Sequence, residues 1–68
     1  MSAGTVKFYN GEKGFGFIAR DDGSGEIFVH ISNCAPDIEE LVQGQRVRFD
    51  EQISKRSGKP EAIAVELL

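Results

Sequence analysis

Sixty-eight residues with 40% hydrophobic content make one small domain, since a chain of this size buries only about 60% of its unfolded surface and has no material for a second core. Eleven Asp and Glu against eight Lys and Arg give a net charge of −3, which argues against a partner held by a bulk positive field. One cysteine, Cys34, and one histidine, His30, exclude an intramolecular disulfide and fall short of a four-ligand zinc site.

Nothing at the N-terminus resembles a secretory leader and no apolar run approaches a membrane span, so the chain reads as cytoplasmic. Thr5–Asn10 (TVKFYN) is rich in β-formers and ends on the turn signal Asn10-Gly11, which predicts a first strand hairpinned onto a second that begins at Lys13. The glycine-rich Asp21–Gly25 is the next turn. Glu26–Ile31 then alternates, with Phe28 and His30 on one face and Ile27, Val29 and Ile31 on the other.

After Pro36 the pattern weakens. Asp37–Val42 is compatible with one helical turn stopped by Gly44. Arg46–Ile53 alternates as a fourth strand with Val47, Phe49 and Ile53 inward, Ser57–Pro60 turns the chain, and Glu61–Leu67 reads as a fifth strand with Ile63, Val65 and Leu67 inward. Five short strands around Val6, Ile18, Ile27, Val29, Val47, Phe49, Ile63 and Val65 predict an all-β fold, a small closed or nearly closed barrel, which also removes exposed edges.

The chemistry concentrates in Lys13-Gly14-Phe15-Gly16-Phe17-Ile18. Residues two apart on a strand share a face, so Phe15 and Phe17 stand side by side while Gly16 and Ile18 take the other side. A Phe-x-Phe pair is ordinarily core. Here Ile18 is the better core residue, and Gly16 lets the backbone bend closely over a small barrel, which favours both rings outward as a stacking platform for unpaired bases. The run matches the start of an RNA-binding strand signature, but the RNA-recognition motif needs a strand and a helix upstream, and only one strand precedes Lys13.

With Gly4–Asn10, Lys13–Ile18, Ile27–Ser32 and Gly44–Phe49 in that order, the whole chain resembles the bacterial cold-shock proteins and the cold-shock domain. The resemblance implies a five-stranded antiparallel Greek-key barrel of OB type that binds single-stranded RNA and DNA, often pyrimidine-rich, as an RNA chaperone or a regulator of transcription or translation. It also implies a binding face of Lys7, Phe8, Tyr9, Phe15, Phe17, Phe28 and His30, with Asn10 and Lys13 at its edge. Alternation by itself sets Phe8 with Val6, away from Lys7 and Tyr9, and leaves its exposure open. Lys7, Lys13, Arg56 and Lys59 are the cations placed to meet phosphates.

Departures from the family pattern accompany the matches. Phe8 and Tyr9 stand where Trp then Phe is usual, Ile31 stands where Phe follows the histidine, and Ile38 takes the place of a loop aromatic. Because each stacked base is worth about 1–3 kcal/mol, weak or short-site binding is expected, and Ile31→Phe is expected to tighten it. No cofactor is called for, and Cys34 with His30 lacks the third orienting group of a nucleophilic enzyme. The chain is expected to be a monomer, with strand exchange through Ser32–Gln43 as the route to a dimer. The alternative is a protein-interaction barrel that has lost nucleic-acid affinity, suggested by the acidic balance and the absence of Trp.

Overall fold

Alternating apolar residues build each strand of the computed structural model, which describes every residue from Met1 to Leu68. The strands are β1 (Ser2–Asn10), β2 (Phe15–Arg20), β3 (Glu26–His30), β4 (Arg46–Ile53) and β5 (Pro60–Leu67), with one 3₁₀ turn over Ile31–Asn33 after β3. They close into a barrel in the order β1-β2-β3-β5-β4, as the all-β OB-type reading expects. Four of the pairings are antiparallel; the short β3–β5 contact that closes the barrel is parallel. β1 starts earlier than its β-rich core suggests because its first half pairs with β4 while its second half pairs with β2.

Val6, Ile18, Ile27, Val29, Val47, Phe49 and Val65 are buried as their alternation predicts, and Ala62, Ile38 and Leu41 complete the core. Ile38 and Leu41 arrive without a helix. Asp37–Val42 is irregular, tied by an Ile38 N–H bond to the Ala35 carbonyl and by Val42 N–H donating to Gln45 Oε1. A lone helical turn is unfavourable by itself, and two apolar side chains dropped into the core give the segment a better arrangement. Ile38 is therefore a core residue and does not stand in for an exposed ring.

Two bulges reset the alternation. In β1 the partners run Val6 to Ile18 and then Phe8 to Phe17, so Lys7 is the extra residue. The parity change carries Phe8 to the outer face with Phe17 and turns Tyr9, partner of Gly16, toward the core. Gly16 is required there, because a Cβ would collide with the Phe8 carbonyl oxygen and sit 3.0 Å from Tyr9 Cα.

The second bulge lies in β5, where three residue steps from Glu66 to Ile63 face two from Arg48 to Asp50. Ala64 sits in this bulge at a φ of +52°. Ala62 and Val65, three apart, both point inward, and Ile63 is left only half-buried. Leu67 and Ile53, also expected inside, are 47% and 62% exposed. Leu67 closes β5 opposite the buried Val47 yet stays at the barrel's open end, and Ile53 closes β4 two residues after Glu51, which is already at the surface bonding Arg20.

Candidate nucleic-acid interface

The outer faces of β1, β2 and β3 carry four phenylalanines in contact. Phe17 is the register partner of both Phe8 on β1 and Phe28 on β3, and Phe15 is the partner of His30. Phe15 and Phe28 lie nearly parallel, 5.8 Å between centroids and 20° between planes, whereas Phe15–Phe17 and Phe17–Phe28 meet edge to face at 6.2 and 6.0 Å. Phe8 approaches Phe15 at 6.2 Å and Phe17 at 6.5 Å. Such pairs hold one another in place. Phe15, Phe17 and Phe28 remain half-exposed and Phe8 is exposed, leaving ring surface open on the barrel wall.

The turn before β2 is set by Asn10, whose Oδ1 accepts from the backbone N–H groups of Glu12 and Lys13 at 3.0 and 3.2 Å. Asn10 thus shapes the loop that presents Lys13. His30, half-buried at the end of β3, accepts at Nδ1 from the Ser32 backbone N–H at 3.2 Å and has Ser32 Oγ 2.9 Å away. That leaves the ring's Nε2 edge, with the proton of the neutral tautomer, as its donor. Tyr9 packs on the core, so it does not share the plane of the four rings. Ile31 also packs partly against the core, with its Cγ2 3.1 Å from where a Cβ on Gly14 would lie; a ring there would have to displace that packing.

Beyond Phe17, Phe28 and His30 the surface descends into a groove whose far wall is the β4–β5 loop. Ser54 organises this loop. Its N–H donates to the Lys59 carbonyl and its carbonyl accepts from Gly58 N–H, both at 2.8 Å, while its Oγ accepts from Arg56 N–H at 3.3 Å. The loop keeps its shape without engaging its cations, and Lys55, Arg56 and Lys59 line the groove. Sequence reading missed Gln52, Ile53 and Glu61, which line it too; nothing local signals them, because the parallel β3–β5 pairing brings Glu61 beside Phe28 and the β4–β5 pairing sets Gln52 and Ile53 next to Glu61 and Pro60.

The basic residues divide into those tied to carboxylates and those without one. Arg20, Arg46 and Arg48 are each tied to a carboxylate, Glu51, Asp21 and Glu66 respectively, at 3.0, 2.6 and 3.0 Å. The Arg46 guanidinium lowers the Asp21 carboxyl from its ordinary value of 3.8 and is itself raised, and Ser24 lowers Asp22 through two hydrogen bonds. None of the other five basic residues, Lys7, Lys13, Lys55, Arg56 and Lys59, is within ion-pair distance of a carboxylate. Lys7 directly precedes Phe8 and Lys13 stands two residues before Phe15, and the rest line the groove. The overall negative charge therefore conceals a local excess of available cations beside the aromatic surface.

The family profile of the 'Cold-shock' DNA-binding domain matches residues 2–68. The chain belongs to this family. It is 46% identical over 63 residues to a probable cold shock protein of Sinorhizobium fredii, covering 91% of each chain. Cold shock protein ScoF of Streptomyces coelicolor is 47% identical over 64 residues, covering 93% of this chain and 96% of that protein. A cold shock protein of Arthrobacter globiformis is 42% identical over 69 residues, the full length of both. Nucleic-acid binding follows for this cold-shock domain, with aromatic rings on its surface, and the protein-interaction alternative is not favoured. No helix is long and apolar enough to cross a membrane.

Proposed function

We propose that this cold-shock domain binds single-stranded RNA and DNA by stacking unpaired bases on Phe8, Phe15, Phe17 and Phe28, with the Nε2 edge of His30 offering a hydrogen bond. The observation that carries this reading is the continuity of four open rings with a groove lined by unpaired cations. Lys7, Lys13, Arg56 and Lys59 supply phosphate contacts along it, while Asn10 holds the Lys13 turn and Tyr9 supports the edge of the platform from the core side. Bases in a duplex have no free face to offer, so binding selects the open strand and draws hairpins apart by mass action.

That is the action of an RNA chaperone or of a regulator of transcription or translation, carried out in the cytoplasm by a monomer without a cofactor. A catalytic role for Cys34 is disfavoured. Burial raises its thiol from the ordinary value of 9.0, the reverse of what an attacking thiolate needs, and His30 Nδ1 is occupied by Ser32. Alkylating Cys34 is expected to leave binding unchanged.

The deciding experiment is a fluorescence titration against a short pyrimidine strand, a purine strand and their duplex. Saturable binding to the single strands and none to the duplex at the same concentration is the expected result. Equal affinity for the duplex would overturn the stacking mechanism.

A further inference from the structure

Glu61 is the single carboxylate of the groove, in a wall otherwise furnished with Lys55, Arg56 and Lys59. It is half-buried, and the parallel β3–β5 contact makes it the register partner of Phe28, which places it beside the ring at the groove end of the platform. Gln52 Nε2 donates to Glu61 Oε1 at 3.1 Å. That bond orients the carboxylate and occupies one of roughly four lone-pair sites, leaving the rest as acceptors with no donor capacity at all. No cation lies within ion-pair distance of it.

An acceptor-only group beside a stacking ring discriminates among bases by what their edges present. Cytosine offers an exocyclic N4 amino group, a recognised partner of Glu and Asp, whereas uracil and thymine present a carbonyl at the same position, which a carboxylate repels. We propose that Glu61 is a specificity-determining residue that selects an amino-bearing base, cytosine among the pyrimidines, at the position stacked on Phe28. This rests on the single-strand reading above and refines it from stacking without choice to a preference at one subsite.

The test compares short oligo-C and oligo-U strands at neutral pH on the intact protein and on Glu61→Gln. The amide keeps the shape and an acceptor oxygen but adds a donor that suits uracil O4. The intact protein is expected to bind oligo-C at least about fivefold more tightly than oligo-U, the low end of one good base contact, and Glu61→Gln is expected to bring the ratio close to one by improving oligo-U. Glu61→Ala, lacking both donor and acceptor, should fall between. An intact-protein ratio near one, or a preference for oligo-C that survives in Glu61→Gln, overturns the proposal while leaving single-strand binding intact. Failure to bind either strand overturns the single-strand reading and this one with it.

Discussion

β2 and β3 present two hydrophobic faces that meet different fates. Inside, Ile18, Ile27 and Val29 are almost wholly removed from water; outside, Phe15, Phe17 and Phe28 from the same strands stay half-exposed. The difference lies in what each face is offered. The inner side chains are covered by Phe49 and Val65 from across the barrel and by Ile38 and Leu41 from the β3–β4 connection, whereas the outer rings pack on one another and on Phe8 and keep ring surface open to water. A cluster of rings on the open wall of a small domain costs solubility and buries little area, the mark of an interaction surface, and the proposed single strand would cover it.

The comparison breaks most sharply by truncation. Phe49→Ala removes the largest fully buried side chain and is expected to cost about 3–5 kcal/mol, enough to unfold a domain this small at ambient temperature; loss of the cooperative denaturant transition is the readout. Phe17→Ala on the opposite face is expected to lower affinity for a pyrimidine strand by about 1–3 kcal/mol and stability by about 1 kcal/mol, the worth of an aromatic pair. A Phe17 variant that loses stability but keeps its full affinity would make the outer face a second core.

The cations give a smaller effect that sharpens the same contrast. With two to four phosphate contacts from the unpaired group, log K against log salt should slope at about −1.4 to −2.8, shallow for a nucleic-acid binder because stacking carries the affinity. Arg56→Ala should flatten it by about 0.7, while Arg48→Ala, whose guanidinium is already held by Glu66 at 3.0 Å, should leave it unchanged. A slope near −5 would show electrostatics in command. The smallest effect is at the β5 bulge. Ala64 holds a left-handed conformation costing about 1–2 kcal/mol, and Ala64→Gly trades that for about 0.5–1 kcal/mol of chain entropy. The thermal midpoint should hold or rise slightly with glycine and fall with valine.

Much of this molecule is written in its local pattern. Strand count, the inward set from Val6 to Phe49 and the shared outer face of Phe15, Phe17, Phe28 and His30 all follow from period-2 alternation broken by glycine turns, and the family follows from ordered motifs. Alternation cannot register an inserted residue. The bulge at Lys7 arises where β1 bends to serve two partners, and that bend decides that Phe8 faces out and Tyr9 in, against their parity with Val6 and Lys7. The bulge at Ala64 likewise exchanges Ile63 for Ala62 in the core. Ile38 carries no sign in the sequence that it plugs the barrel, and no neighbour in the chain tells which five cations lack a carboxylate. Glu61 comes to lie beside Phe28 only because β3 and β5 pair in parallel at the seam, a contact between residues more than thirty positions apart that closure of the barrel alone creates.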